Sequence, residues 1–217
     1  MTGLVRKASL LAVLGLLAAS VAVAGIPDPT QSTIPLYIDL VGCKTAVPDP
    51  YGLFTVTVND AAGNPVEGCE VAVVFNTDLK IYSAIPGLTV DCAARKAVAI
   101  SDASGVATFV ITGATINTNG VAAGSGANGA TIYACEIALG QATVCVFDES
   151  GAVGTLGVGA ADLAGWLGDF GKTGTIGYKG RSDFNHNGSI GAADLSLWLS
   201  RFGSGNSAGS CGTLCGY

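Results

Sequence analysis

The sequence predicts a mostly β protein, in which a β-sandwich is followed by a small module of two helices. Glycine accounts for 32 of the 217 residues and charged residues for only 12%. That composition suits short strands joined by many turns better than long helices. Short apolar or alternating segments recur between residues 34 and 148, and a repeat with helical periodicity follows them. The length allows one modest domain and something small beside it.

The charge balance excludes one class of function. Acidic residues number 16 and basic residues 10, whereas affinity for the phosphates of nucleic acids requires clustered Lys and Arg. A nucleic-acid partner is therefore not expected. The low charge combined with 49% hydrophobic residues also argues against a disordered chain.

Residues 1–24 predict a signal peptide. Arg6 and Lys7 precede an apolar run, and Ala22-Val-Ala24 forms an A-x-A site, so cleavage is expected after Ala24. A membrane anchor is the alternative, but the apolar run is shorter than the ~20 residues that cross a bilayer. No later segment is long and apolar enough to span one. We therefore expect a secreted or cell-surface protein with no membrane span after cleavage.

The cysteines agree with export. All seven follow the signal: Cys43, Cys69, Cys92, Cys135, Cys145, Cys211 and Cys215. Disulfides are the default in an oxidising compartment, and an odd number leaves at least one thiol free or paired with another chain. A zinc site at Cys211 and Cys215 is the alternative, but a second ligand pair is missing and the only histidine is His186. The connectivity stays open.

Residues 25–149, called the β region below, are predicted to contain about seven short strands. The turn at Ser101–Gly105 predicts one hairpin and Gly140 a second, while residues 113–129, rich in Gly, Asn and Ala, predict an exposed flexible loop. Strands of this number and spacing predict a β-sandwich. The predicted strands are Phe54–Val58, Glu70–Phe75, Leu88–Cys92, Ala97–Ile100, Val106–Ile111, Thr131–Leu139 and Gln141–Phe147.

Two of these turns carry a resemblance to a known family. Residues 54–66 read F-T-V-T-V-N-D-A-A-G-N-P-V, and residues 101–109 read S-D-A-S-G-V-A-T-F. The pair resembles the bacterial immunoglobulin-like domains of invasin and intimin type, over residues 34–148. The resemblance implies an immunoglobulin-like sandwich that acts as a spacer or adhesive module and has no catalytic residues. This copy departs from the family in carrying five cysteines, which suggests stapling by disulfides.

A repeat with a period of 32 residues follows, within residues 150–203, called the C-terminal module below. Residues 157–171 and 189–203 match at nine of fifteen positions. We expect two short helices, ended by glycine, that pack face to face about a pseudo-twofold axis. Both Trp are expected in the core rather than on a sugar-stacking surface. The apolar stripes are Leu163, Trp166, Leu167 and Phe170, and then Leu195, Trp198, Leu199 and Phe202.

The loop before the second helix has a calcium-binding pattern of EF-hand type. Residues 183–194 place oxygen side chains at loop positions 1, 3, 5 and 12 and Gly at position 6, and Ca²⁺ takes several oxygen ligands from such a loop. The alternative is a turn rich in Asp and Asn that caps the helix without metal. His186, at position 4, is expected to point outward. The predicted ligands are Asp183, Asn185, Asn187 and Asp194 through their side chains and Ser189 through its carbonyl.

The first copy of the loop is degenerate. Its positions 1, 3 and 5 are Gly151, Val153 and Thr155, which have no carboxylate. We therefore expect one Ca²⁺ ion and not two.

The duplicated loop and helix, with Asp followed by Leu at position 12, resemble a dockerin. The resemblance implies calcium-dependent attachment to a cohesin receptor, often in systems that degrade polysaccharides. The better-known dockerins use polar residues at loop positions 10 and 11, where this chain has Ala160-Ala161 and Ala192-Ala193. The partner is therefore a cohesin-like protein, a cell-envelope protein or another part of this chain. Residues 204–217 form a tail rich in Gly, Ser and Cys.

Three functions remain open from the sequence. The first is a secreted, non-catalytic calcium-binding protein with an attachment module and an immunoglobulin-like spacer. The second is a carbohydrate-binding component of a polysaccharide-degrading system, which requires a row of exposed aromatic residues on one sheet. The third is a small hydrolase, which a single histidine and the lack of a G-x-S-x-G motif argue against, so we do not expect an enzyme.

Overall fold

The computed structural model describes residues 25–44, 47–76, 79–115, 129–148, 157–173, 180–203 and 211–215. The predicted signal peptide and most of the predicted flexible loop lie outside the described residues. The described part of the protein is mostly β, followed by two helices, which confirms the coarse part of the predicted fold class; the immunoglobulin-like sandwich stays a prediction.

Twelve strands precede two helices in the described residues. The strands are β1 (Tyr37–Leu40), β2 (Cys43–Lys44), β3 (Val47–Pro48), β4 (Leu53–Thr57), β5 (Glu70–Phe75), β6 (Leu79–Ile81), β7 (Thr89–Asp91), β8 (Lys96–Ile100), β9 (Val106–Val110), β10 (Gly113–Thr115), β11 (Ala130–Ala134) and β12 (Ile137–Val146). The helices are α1 (Ala160–Asp169) and α2 (Ala192–Arg201). Single 3-10 turns lie at Pro50–Gly52 and Gly180–Ser182.

Six strands form the main sheet, in the order β1-β12-β11-β5-β8-β7. β1 runs parallel to β12, and the remaining neighbours are antiparallel. β4 and β9 form a separate two-stranded sheet. Val56 of β4 and Phe109 of β9 are fully buried in the same apolar cluster as Val71 and Val73 of β5. The core of the β region therefore lies between these two sheets.

The first predicted hairpin is wrong. β8 and β9 flank the predicted turn, but β8 pairs with β5 and β7, whereas β9 pairs with β4. The turn itself forms as its residues dictate: the Asp102 carboxylate accepts the backbone N–H groups of Ser104 and Val106, and Gly105 has a φ of 75°. These hydrogen bonds hold the pKa of Asp102 below its usual range. The same local turn chemistry serves a hairpin and a crossing between sheets, so it does not choose between them.

The second predicted hairpin exists, but its turn lies elsewhere. β11 and β12 are antiparallel neighbours joined through Cys135 and Glu136, which have φ values of 46° and 69°. Gly140, the predicted turn, lies inside β12. A left-handed turn usually calls for Gly or Asn, so these residues gave no signal. A disulfide from Cys135 to Cys69 fastens the turn to the residue before β5.

Three disulfides and one free thiol account for the seven cysteines. The bonds join Cys43 to Cys211, Cys69 to Cys135 and Cys92 to Cys215, and Cys145 is free and buried. Only one bond lies within the β region. The other two return residues 211–215 to it, which excludes zinc at that pair of cysteines. Disulfides of this number indicate an oxidising extracellular or periplasmic setting.

No helix among the described residues combines the length and the apolar character that crossing a bilayer requires.

The C-terminal module packs on the β region through a shared apolar cluster. Both Trp side chains are fully buried, as predicted. Because three members come from the β region, the helix pair does not have a core of its own. The fully enclosed members are Val41, Cys145 and Phe147 of the β region with Val158, Trp166, Phe184, Ile190 and Trp198 of the module.

The two repeats pack reciprocally. The N–H of Gly171, after α1, donates to the carbonyl of Ile190, and the N–H of Gly203, after α2, donates to the carbonyl of Val158; both distances are 2.8 Å. These four residues occupy equivalent positions in the two repeats. The packing is therefore related by a pseudo-twofold axis.

Half of each predicted apolar stripe is exposed rather than buried. Leu167 and Phe170 on α1 are 55% and 50% exposed, and Leu199 and Phe202 on α2 are 54% and 56% exposed. The Trp of each helix is fully buried, and Leu163 and Leu195 are partly buried against the shared apolar cluster. The other two residues of each stripe face solvent.

Candidate metal site at the contact with the β region

The predicted calcium loop has the backbone that its sequence implies. Gly188 at position 6 has a φ of 82°, a left-handed conformation that glycine adopts without steric cost. His186 at position 4 is also left-handed, with a φ of 59°. These two positions bend residues 183–189 back on themselves before α2 begins.

The carboxylates at the two ends of the loop turn inward. Asp183 and Asp194 are both fully buried. The Asp183 carboxylate accepts the N–H groups of Asn187 and Gly188 at 3.2 and 2.8 Å. The Asp194 carboxylate accepts the N–H of Asn185 at 3.0 Å. Positions 1 and 12 therefore approach the backbone of the same short segment.

The amide oxygens of the loop each accept a backbone N–H two residues further along. Asn185 accepts the N–H of Asn187 at 3.1 Å, and Asn187 accepts both the N–H and the hydroxyl of Ser189 at 2.9 and 2.6 Å. All the side chains predicted as ligands thus present oxygen, the donor that Ca²⁺ prefers. The residues fit a calcium ion in charge as well, because two carboxylates balance its two positive charges.

The capping interpretation shares part of this geometry. Asp194 also accepts the N–H of Gly191, the residue before α2, at 2.9 Å. A metal-free turn rich in Asp and Asn also accounts for Asp183, whose carboxylate accepts the N–H groups of Asn187 and Gly188 within the turn. The two interpretations therefore share this geometry, and a calcium titration distinguishes them.

The first loop is described only at its end. Gly151, Val153 and Thr155 lie outside the described residues. At position 12, Asp162 is buried and accepts the N–H of Gly159 at 2.7 Å. The expectation of one ion rather than two stays a prediction.

The predicted calcium loop lies against β1. The His186 ring stacks on the Tyr37 ring, with centroids 4.2 Å apart and planes 5° from parallel. Its Nε2 atom is 3.4 Å from Oδ1 of Asp39. His186 therefore points out of the loop, as predicted, and its side chain ends on the β region.

Two more contacts hold the loop from the other side. The Tyr51 hydroxyl donates to the Phe184 carbonyl at 2.5 Å, and the Phe184 ring stacks on Phe147 with centroids 4.1 Å apart. Burial raises the pKa of Tyr51 to about 12, with the Asp39 carboxylate adding to the shift. The hydroxyl therefore stays protonated and keeps donating at any physiological pH.

α2 is held at the same end of the sheet. The indole N–H of Trp198 donates to the Phe147 carbonyl at 3.3 Å. Nε of Arg201 is 2.7 Å from Oδ2 of Asp49, and its guanidinium lies 4.7 Å above the Tyr51 ring. Loop and helix are thus seated together, and the module is not a free appendage.

A second group of potential ligands lies where loop and sheet meet. Cys145 of β12 is the direct partner of Asp39 in β1, and its thiol donates to the carbonyls of Gly180 and Asp183 at 3.1 and 3.4 Å. The Sγ atom, an Asp39 oxygen and a His186 nitrogen all lie within 4.8 Å of one another. This group could not be predicted from the sequence, because its three members come from segments far apart in the chain.

The Cys145 thiol of this group is a poor nucleophile. Burial, and then the nearby carboxylates of Asp39, Asp183 and Asp194, raise the pKa of the Cys145 thiol well above its usual range. Burial also raises the pKa of Asp39, although the contact with His186 opposes that shift. Nucleophilic cysteines have lowered pKa values and accessible sulfur, and Cys145 has neither property.

The outer surface of the main sheet decides whether the carbohydrate-binding alternative has a suitable face. A depression of ≈ 590 Å³ lies over β5, β8 and β11, and Tyr133 is the aromatic residue among its lining residues. Every described aromatic residue of the β region is at least partly buried. The described residues therefore lack the row of exposed aromatics that a carbohydrate-binding sheet uses.

Comparison with known proteins gives no family model, no curated protein and no solved structure that matches this chain. Its function therefore has to be inferred from the chemistry of the site.

Proposed function

We propose that this is a secreted, non-catalytic calcium-binding protein, in which a dockerin-like C-terminal module serves attachment and an immunoglobulin-like β region serves as a spacer or adhesive module. The observation that carries the proposal is that two fully buried carboxylates, Asp183 and Asp194, both accept backbone N–H groups from residues 185–188 of one short loop. Calcium is the metal that such an all-oxygen site suits.

Calcium in this loop would stabilise more than the loop. Phe184 and His186 lie between the proposed ligands in sequence, and both contact the β region. An ion that fixes positions 1, 3 and 5 therefore also fixes the two side chains that seat the module. The proposal thus links calcium binding to the packing of the module on the sheet.

The exposed part of each helix supports the attachment role. Leu167 and Phe170 on α1 have equivalents in Leu199 and Phe202 on α2, and all four are at least half exposed. The Ala residues at loop positions 10 and 11 of both repeats are exposed as well. The partner that fits these small and apolar surfaces is a cohesin-like or envelope protein with an apolar binding face, rather than one that reads polar side chains.

Polysaccharide binding is the weaker alternative. Its only support is that dockerins often occur in systems that degrade polysaccharides. The described sheet surface argues against it, because it lacks exposed aromatic residues. An enzymatic role has no support from the buried thiol of Cys145, whose raised pKa disfavours a nucleophilic thiolate.

The calcium site can be tested by titration calorimetry on the mature chain. We expect one ion per chain, with a dissociation constant of ~10⁻⁵ to 10⁻³ M, as in extracellular modules. Asp183→Asn removes one of the two charges that balance the ion and should weaken binding severely. Asp60→Asn is the matched control, because Asp60 also accepts backbone N–H groups in a tight turn, at Ala62 and Asn64, but lies outside the loop.

Two results would contradict the calcium proposal. One is the absence of binding at millimolar Ca²⁺ in a folded wild-type chain. The other is equal binding by the Asp183→Asn and wild-type proteins.

The attachment role is tested separately, by recovery of envelope proteins on the immobilised mature chain with calcium or with chelator. Equal recovery with calcium and with chelator, together with equal recovery by the wild-type and Leu199→Asp chains, would refute the attachment role.

A further inference from the structure

We propose that Asp39, Cys145 and His186 form a second metal site, selective for a thiophilic transition ion of the Zn²⁺ class, where the calcium loop meets β1 and β12. Although His186 belongs to the predicted calcium loop, the donors of this site are different, namely a sulfur, a nitrogen and a single carboxylate. Zn²⁺ takes this mixture of donors, whereas Ca²⁺ takes oxygen.

The spacing of the donor atoms fits one ion. The three donor atoms lie within 4.8 Å of one another, and Nε2 of His186 is 3.4 Å from Oδ1 of Asp39. Two ligands at ordinary Zn–N, Zn–O and Zn–S distances around a tetrahedral ion are about 3.3–3.6 Å apart. The imidazole and carboxylate already have this separation.

The donors are held by the fold rather than by chance proximity. Asp39 and Cys145 are paired in the parallel register of β1 and β12, so their side chains leave adjacent strands at the same level. The Tyr37 ring stacks on the imidazole and fixes its plane. Ligand orientation by neighbouring groups of this kind is what natural metal sites rely on.

The electrostatics favour a divalent cation. The negative charges of the Asp39, Asp183 and Asp194 carboxylates lie near the Cys145 sulfur and raise the pKa of its thiol. A Zn²⁺ ion with one thiolate, one carboxylate and a neutral imidazole forms a site with no net charge. Binding releases the thiol proton to solvent and forms the Zn–S bond, while the Cys145 hydrogen bonds to the carbonyls of Gly180 and Asp183 are lost.

The site is reachable from solvent on one side. The His186 side chain is 28% exposed and that of Asp39 is 11% exposed, while Cys145 is fully buried. Three protein ligands with one open side leave the fourth position of a tetrahedral ion to water. Cys145 is also the one cysteine outside the three disulfides, and a metal would protect its thiol in an oxidising compartment.

Co²⁺ is the probe for the test, because a thiolate bound to it gives an absorption band from charge transfer. The mature chain, saturated with Ca²⁺, is titrated with Co²⁺ and then with Zn²⁺. We expect one Co²⁺ per chain, a charge-transfer band and displacement by Zn²⁺. Cys145→Ala should remove the band, and His186→Asn should weaken binding more than ~100-fold, since losing even an outer-shell partner costs about 10–100-fold.

The variants are chosen to keep the fold. Asn tolerates the left-handed φ of 59° at position 186, and Ca²⁺ binding with an unchanged circular dichroism spectrum verifies that each variant is folded. Asp49→Asn is the matched control, because Asp49 also bridges the module to the β region, through Arg201, without belonging to the site. Two outcomes overturn the proposal: wild-type protein without a charge-transfer band at millimolar Co²⁺, or metal binding that persists unchanged in both Cys145→Ala and His186→Asn. In either case the three groups form only a hydrogen-bonded contact.

Discussion

Replacing Trp198 with alanine should destabilise the C-terminal module and release it from the sheet. The side chain is fully buried, and its indole N–H donates to the Phe147 carbonyl of the β region. Truncation of a buried Trp costs ~3–5 kcal/mol. For a chain of this size each kcal/mol lowers the unfolding midpoint by ~2–4 °C, so we expect a fall of about 6–20 °C.

The assay is thermal unfolding of the mature chain in millimolar Ca²⁺, followed by circular dichroism and by the emission of the remaining Trp166. Calcium affinity should fall with stability, although Trp198 carries no ligand oxygen. Leu199→Ala is the control: the neighbouring side chain is 54% exposed, so its loss should change the stability by less than ~0.5 kcal/mol. A midpoint for Trp198→Ala equal to that of the control, or red-shifted emission from both native Trp, would refute a buried role.

Two further predictions concern the Tyr51 hydrogen bond to the Phe184 carbonyl and the disulfides. Because the pKa of Tyr51 is about 12 when folded and ~10 when unfolded, its stabilising contribution is complete below pH 10 and is lost as the pH rises towards 12. Tyr51→Phe should abolish that part of the alkaline loss in denaturant melts, and an identical alkaline profile would contradict this. Reduction of the mature chain should lower its unfolding midpoint, since each native disulfide contributes ~2–4 kcal/mol; an unchanged melt would mean that the bonds do not form.

The sequence predicted those strands that have a continuous apolar pattern. The segment Glu70–Phe75 was predicted with the bounds that β5 has. β1 was missed, because it is short and carries Asp39, whose charge suggests a surface loop. Its pairing partner is β12, at the far end of the β region, and local sequence holds no information about such a partner. The same limit explains the wrong hairpin between β8 and β9.

The candidate site likewise has one part whose pattern is visible in the sequence and another part that only tertiary packing creates. The calcium-loop pattern is visible in the sequence because all its oxygen side chains lie within residues 183–194 and their spacing is itself the signal; calcium binding there stays a prediction. The surroundings of His186 could not, because Tyr37 and Asp39 reach it only through tertiary packing. The sequence indicated that His186 points outward, and the fold decides what it meets there. The exposed half of each helix is a third case, since periodicity marks an apolar face without telling what covers it.

The return of residues 211–215 to the β region has a consequence for how the protein is made. Cys43 and Cys92 have partners 168 and 123 residues further along the chain. During export the N-terminal part emerges first, so both thiols stay reduced and open to non-native pairing until residues 211–215 have crossed. Covalent closure is thus a late event in biogenesis. We expect a disulfide isomerase in the export compartment to raise the yield of the native protein, and an export arrest before residue 211 to leave a chain that a thiol reagent labels at both positions.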